Sequence, residues 1–396
     1  MSADDAAAAL RVSRATLYAY VSRGFIRSQA MPGRSRQRGY SRDDVDRLRR
    51  RTEARRDPEN AAARALQWGV PVLESAITLI DGNTLYYRGH DATTLARSRS
   101  LSEVASLIWT GRFETAFPPA VLRRVVPPGP AARRLSFVAR AQTALAHASA
   151  QDPLAFDVRP EGAALSGWRI LHLLAASATE QAANPPAIDR ALGRAWRVAD
   201  RGVDVLRAAL ILSADHELNV SSFTARCVAS AGSNPYAVVI AALAALEGTR
   251  HGGASARVES MLASMRRARD VRSAIDARLR RGEPIGGFGH PLYPHGDPRA
   301  TMLLDLLRQR YAKSAELAFV AEFVDAASAA SREQPNIDFA LAALARVLRL
   351  PAGSPIVLFA IGRTIGWIGQ AIEQYATGQL IRPRAKYVGV VPVSQA

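Results

Sequence analysis

Apolar side chains recur every three to four residues along most of this chain, the spacing that puts them on one face of a helix. The pattern predicts helices over Leu101–Thr110, Ala120–Val126, Leu135–Ala150, Gly162–Thr179, Ala187–Ser213, Ser222–Ala231 and Tyr236–Glu247. It continues over Ala256–Ala268, Val271–Gly282, Ala300–Lys313, Leu317–Glu333, Ile337–Leu348 and Val357–Thr377. A strand pair is expected only at Ala76–Ile80 and Thr84–Tyr87, joined by the turn Asp81-Gly82-Asn83. Pro127-Pro128-Gly129-Pro130 reads as a loop. The expected class is mainly α.

The first 66 residues read differently. Ala3–Leu10 is an alanine-rich helix, and Ser13 is placed to cap a second one over Arg14–Ser22, which Gly24 ends. Pro32-Gly33-Arg34-Ser35-Arg36-Gln37-Arg38 reads as a basic loop, and Ser41-Arg42-Asp43-Asp44 opens a third helix as a near capping box. Helix, turn, helix and basic loop is the layout of a winged DNA reader. This stretch holds 15 arginines against 8 acidic residues, and apolar content rises after Arg64. The expected division is therefore 1–66 and 67–396.

Length and composition fit a soluble, multi-domain protein: 396 residues, 48% hydrophobic and 22% charged. The net charge of +17 fits nucleic acid or anionic substrates. Its weight is reduced because Lys313 and Lys386 are the only lysines, a pattern of arginine-rich, alanine-rich coding. A lone cysteine, Cys227, rules out an intrachain disulfide and reads as a small buried helical residue. The acidic start Met1-Ser2-Ala3-Asp4-Asp5 lacks the apolar core of a secretory leader. The apolar runs Ala237–Leu246 and Pro355–Ile361 are shorter than a bilayer span. No membrane association is expected, and the expected location is cytoplasmic.

Three strings carry chemistry. His251 lies in Gly248-Thr249-Arg250-His251-Gly252-Gly253-Ala254, His290 in Gly286-Gly287-Phe288-Gly289-His290, and Asp338 in Pro335-Asn336-Ile337-Asp338-Phe339. A carboxylate beside neutral histidines can take a weakly acidic C–H proton if the enolate is stabilised. Glycine lets backbone approach a ligand closely. Arg299, Arg363 and Arg382 stand near these strings and suit a substrate with several carboxylates. Asp338 also stands where a residue could cap the following helix. His216, His251 and His290 could hold a metal, but there is neither a His-x-x-x-His pair nor paired cysteines, so none is expected.

Residues 67–389 resemble the citrate synthase family. The strings that carry the likeness occur in the family's order. They include Glu74–Thr78, Tyr87-Arg88-Gly89, Ala214-Asp215-His216-Glu217-Leu218-Asn219, Gly248–Ala254, Gly287–His290, Asp297-Pro298-Arg299, Pro335–Asp338, Phe359–Thr364 and Arg382-Pro383-Arg384. The resemblance implies a two-domain helical fold, with a large subdomain (67–250 and 341–396) and a small one (251–340) that closes over substrate. It implies condensation of acetyl-CoA with oxaloacetate and water to give citrate, a step of the tricarboxylic acid cycle. Asp338 would be the base, His251 would hold the thioester oxygen, and His290 would be the acid on the ketone. His216, Arg299 and Arg363 would hold oxaloacetate, and Arg382 would reach in from the other subunit of a homodimer. Gly287, Phe288 and Gly289 would form a turn at the CoA site. CoA is here a substrate, and no separate cofactor is implied.

The sequence departs from the family after His290. Pro291-Leu292-Tyr293-Pro294-His295-Gly296 lacks the usual basic residue near CoA, which leaves the acyl group open, with propionyl-CoA and 2-methylcitrate as the other product. His295 matches no role. The first 66 residues resemble the N-terminal module of MerR-like regulators through Val12–Tyr20, Gly24-Phe25-Ile26 and Arg38–Val45. By that likeness Ser13, Arg14 and Thr16 would face the major groove, while Tyr18 and Arg38 would touch phosphates, with Arg36 close by. A third reading follows, in which a DNA-binding regulator senses oxaloacetate or acyl-CoA.

Overall fold

A computed structural model describes residues 1–31, 34–42, 44–46, 48–49, 73–113, 134–180 and 187–390. Two compact units divide it, Met1–Glu74 and Ser75–Ala396. The expected boundary at 66, the helix Ala120–Val126 and the loop Pro127–Pro130 lie outside the described residues.

In the first unit, α1 (Ala3–Leu10) starts from a capping box made by Ser2 and Asp5, and α2 (Arg14–Ser22) from the Ser13 side chain, which accepts the Thr16 N–H. Strands β1 (Ser28–Met31) and β2 (Arg34–Tyr40) form an antiparallel hairpin with Ser28 opposite Tyr40. Arg34 to Arg38, expected as loop, are thus strand. The run alternates arginine with small or polar residues and shows no apolar face, so its period-two signal is invisible to a hydrophobic pattern. Leu10, Leu17, Ile26, Tyr40 and Val45 form the core of this unit. The third helix is present as helical backbone at 42, 44–46 and 48–49.

The second unit begins with a small antiparallel sheet, β3 (Thr78–Asp81), β4 (Thr84–Tyr87) and β5 (His90–Asp91), turning at Gly82, whose φ is +59°. The rest is helical. The order is α3 (Ala92–Ser98), α4 (Leu101–Thr110), α5 (Phe137–Gln151), α6 (Pro160–Thr179), α7 (Ile188–Ala195), α8 (Asp200–Leu212) and α9 (Val220–Ser230). Then come α10 (Pro235–Glu247), α11 (Gly253–Met265), α12 (Val271–Arg280), α13 (Pro298–Tyr311), α14 (Ala315–Ser331), α15 (Ile337–Leu348) and α16 (Ser354–Thr377). The expected single helix Ala187–Ser213 is two helices. Arg197 takes a left-handed φ of +55°, and the Val198 N–H turns back to Gly193 at 2.8 Å, so the chain breaks between α7 and α8 although hydrophobic spacing runs through. The short helix α3 was not expected.

Helix α16 organises this unit. It packs against α4, α6, α8, α9, α10, α11 and α15. Its 24 residues exceed the short run read from the sequence and are long and apolar enough to cross a bilayer, yet 94% of its most apolar window is buried inside the protein. It is therefore the core helix, and it delivers Arg363 to the centre of the unit. Cys227, expected buried, is half-buried on α9.

Candidate active site

Three connections and two helix starts bring expected residues to one region. His216 follows α8, His251 joins α10 to α11, and His290 lies between α12 and α13. Asp338 stands in the first turn of α15, and Arg299 in the first turn of α13.

The loops bearing His290 and Asp338 are laced together. Gly289 N–H donates to Gln334 O at 2.9 Å, and Asn336 N–H to Gly287 O at 2.8 Å. The Asn336 carboxamide donates to Gly289 O at 3.0 Å and accepts the N–H groups of Asp338 and Phe339, which makes Asn336 the cap of α15. The Asp338 carboxylate is left for other work. Gly287 has φ +83°, and a Cβ there would lie 2.8 Å from that of Phe339, so only glycine fits. Phe288 packs on Phe339 and Phe323 and is 8% exposed, so its ring belongs to the core.

His216 and His290 meet edge to face with ring centroids 5.1 Å apart. Tyr293 packs on both, and its hydroxyl lies 3.0 Å from His216 Nε2. No sequence motif marks Tyr293, although it lies in the very loop that departs from the family. Its burial, at 2% exposure, holds the phenol proton by pushing its pKa up to about 12. Arg299 is 2% exposed, and its guanidinium bonds both oxygens of Asp297 at 2.9 and 2.7 Å. Burial works against the Arg299 charge, and Asp297 outweighs it.

His251 Nε2 lies 2.8 Å from the Ser221 hydroxyl. That hydroxyl also lies 2.9 Å from Asn219 Oδ1 and accepts the Trp367 indole N–H at 3.1 Å. Asn219 Oδ1 also caps α9 by accepting the Ser222 N–H. Ser221 has one proton. Given to Asn219, it makes His251 Nε2 the donor; given to His251, it leaves the ring proton on Nδ1. Serine is too common in sequence for this role to stand out there.

Electrostatics favour an anionic ligand. Arg363 is 1% exposed; its Nε donates to Ser213 O at 2.7 Å, while its buried Nη1 has no hydrogen-bond partner among the described residues. Burial lowers its pKa to about 10. Burial, then Arg363, lowers His251 to about 4, and burial, then Arg299, lowers His290 to about 4. His216 goes well below its ordinary range for the same reasons, so all three rings are neutral at pH 7. Burial raises Asp338, making it a stronger base than a free carboxylate. Asp215, fully buried and bonded to Thr78 at 2.6 Å, is pushed up to about 6 by burial. Among the described residues no group of His, Cys, Asp and Glu is placed to hold a metal ion.

One expected residue stays apart within one chain: Arg382 is exposed on the segment after α16, which has no regular secondary structure. His295, which matched no role, is exposed in the Tyr293 loop.

A family model described as "Citrate synthase, C-terminal domain" matches residues 65–384. The chain belongs to the citrate synthase family. It is an acyltransferase of that family. A helix-turn-helix domain model matches residues 1–52. Citrate synthase 2 of Bacillus subtilis (strain 168) is 30% identical over 360 residues, 83% of this chain and 96% of its own length. A 2-methylcitrate synthase of Shewanella oneidensis is 34% identical over 192 residues, 48% of this chain and 51% of its own. The crystal structure of citrate synthase from Thermotoga maritima MSB8 superposes with a TM-score of 0.67 at 25% identity, covering 83% of this chain and 96% of that one.

In the helix-turn-helix domain, Ser13 and Thr16 hydroxyls bond each other at 2.9 Å at the start of α2, and Tyr18 is half-exposed. Arg14 is occupied: its guanidinium bonds Asp4 through Nε and Nη2. Arg38 donates to Ser28 O at 3.3 Å across the hairpin. The Arg36 side chain lies outside the described residues.

Proposed function

We propose that this site condenses acetyl-CoA with oxaloacetate and water to give citrate and CoA. The observation that carries the reading is the buried cluster itself: a base-strengthened carboxylate, neutral imidazoles, and a guanidinium with a buried nitrogen that has no hydrogen-bond partner among the described residues. Asp338 takes a proton from the methyl carbon beside the thioester. With the Ser221 proton directed at Nε2, neutral His251 carries its own proton on Nδ1 and donates it to the thioester oxygen as the enol forms. The enol carbon attacks the ketone of oxaloacetate, and His290 gives that oxygen a proton. Water then cleaves the citryl thioester. His216, Arg299 and Arg363 hold the oxaloacetate carboxylates, because burial makes each N–H···O⁻ contact strong. Gly287, Phe288 and Gly289 stand at the CoA turn. Arg382 completes the site from a second copy of the chain, so the working form is a homodimer.

Propionyl-CoA, giving 2-methylcitrate, is the second reading, supported by the Shewanella relative and by Pro291 and Pro294 in the loop after His290. The reading of residues 1–66 is DNA binding through Ser13, Arg14, Thr16, Tyr18 and Arg38, supported by the helix-turn-helix match. Thiol release from acetyl-CoA and from propionyl-CoA, each with oxaloacetate, tests the assignment. Release with acetyl-CoA as the better substrate is expected; release with neither ends the proposal, and a preference for propionyl-CoA replaces it with the second reading.

A further inference from the structure

Among the described residues the Asp338 carboxylate has one hydrogen-bond donor, the Ser255 hydroxyl, 2.5 Å from Oδ1. Ser255 is 1% exposed and stands in the first turn of α11, four residues after His251. A serine inside a helix commonly turns its hydroxyl back to the carbonyl four residues earlier. Ser98 and Ser331 do so here, bonding Thr94 O and Ala327 O. For Ser255 that carbonyl would be His251, and the hydroxyl leaves it to reach across to α15. Arg299, Asp297 and Arg257 also act on the Asp338 charge, but through space. Arg299 bonds Asp297 through Nε and Nη2, and Arg257 donates to Thr249 O, so neither has a hydrogen bond to Asp338 among the described residues.

We propose that Ser255 is a positioning residue for the base: it holds Oδ1 of Asp338, so that Oδ2 is the atom that takes the substrate proton. The inference rests on the reading of Asp338 as the base. A carboxylate held at one oxygen cannot turn about its terminal bond, and its free oxygen keeps one direction. Because Ser255 shares the first turn of α11 with the segment that leaves His251, the same bond sets the base in register with the group that receives the thioester oxygen. A donor to the carboxylate also makes it a weaker base, an effect opposed to burial. Ser255 thus trades basicity for direction.

The test compares the full-length protein with Ser255→Ala and Ser255→Thr, each checked for folding by circular dichroism. Ser255→Ala is expected to lower kcat by about tenfold or more, the loss of a directed bond to a charged group. Its KM for oxaloacetate should stay within about twofold. The acid limb of its kcat profile should move to higher pH, and Ser255→Thr, which keeps the hydroxyl, should restore most of the rate. A folded Ser255→Ala with wild-type kcat and wild-type acid limb overturns the proposal. So does an equal loss in both variants with the acid limb unmoved, which marks a packing role. Wild-type protein that releases no thiol refutes the function instead. In that case ¹³C NMR titration of the Asp338 carboxyl, assigned with Asp338→Asn, still decides: its pKa must rise in Ser255→Ala, and an unchanged titration overturns the proposal.

Discussion

Asn336 Oδ1 accepts the backbone N–H of Asp338 at 3.0 Å, so the cap of α15 and its first carboxylate are different residues. An aspartate in the first turn of a helix would ordinarily serve the helix terminus. Here the neighbouring carboxamide does that, and the carboxylate takes its hydrogen bond from Ser255 alone among the described residues.

Asp338→Asn should therefore leave folding intact while lowering kcat by about a thousandfold, within the range of a lost general base. Oxaloacetate should still bind, which calorimetry can measure. Turnover near the wild-type rate would remove Asp338 from the role of base. Asn336→Ala should instead cost about 1 kcal/mol of stability as a lost cap, read from denaturant unfolding.

Arg363 Nη1, buried and without a hydrogen-bond partner among the described residues, predicts a ligand-dependent stability. Oxaloacetate should raise the melting temperature of the wild-type protein. Arg363→Met should abolish most of that rise and weaken binding by about 2–5 kcal/mol, as expected when one partner of a buried charged contact is removed. Equal thermal shifts in both proteins would place the anion elsewhere.

His172 offers a test of stability apart from the site. It is fully buried on α6, packs edge to face on Trp168 at 5.0 Å, and neither ring nitrogen has a hydrogen-bond partner among the described residues. Burial lowers its pKa to about 4. The unfolded chain, near pKa 6.5, therefore binds the proton more readily between pH 6.5 and 4. His172 stabilises the fold above that window relative to below it, and the contribution is lost as the pH falls, to a total of about 3 kcal/mol. His172→Leu should be more stable at neutral pH by about 1–3 kcal/mol and should flatten this acid limb in urea unfolding. A steeper limb in the variant would contradict the assignment.

Asp4 and Arg14 give the DNA proposal a sign. Asp4→Ala should tighten retention of duplex DNA at low salt, because it frees the guanidinium, and Arg14→Ala should weaken it. Arg38→Ala should reduce the slope of log affinity against log salt by about one. Thiol release should be unaffected in all three. Failure of the full-length protein to shift DNA at low salt would end this reading.

The sequence carried much of this architecture in local signals. Helix α15 was legible to the residue from its apolar periodicity, although its cap is Asn336 and not Asp338, the residue the sequence offered for that place. Ser13 announced α2. The break at Arg197 was not legible, because hydrophobic spacing runs through it while the backbone reverses. The arginine-rich strand β2 was hidden because its alternation has no apolar face. At the site, histidines and arginines in glycine-rich strings were readable, since those residue types are uncommon and chemically specific. Ser221, Ser255 and Tyr293 were not: their importance lies in which distant side chain they meet, and no local pattern records that.

Lacing of the turn before His290 to the cap of Asp338 has an evolutionary consequence. The bonds that join Gly289 to Gln334 and Asn336 to Gly287 and Gly289, and the close approach of Gly287 to Phe339, make the two segments a single inherited part. Drift in one is felt in the other. A bulky residue at 287 would displace His290 and Asp338 together, so the two side chains are exposed to selection as one trait. Substitutions across this seam should show strong epistasis, with a change on one side tolerated only alongside its complement on the other.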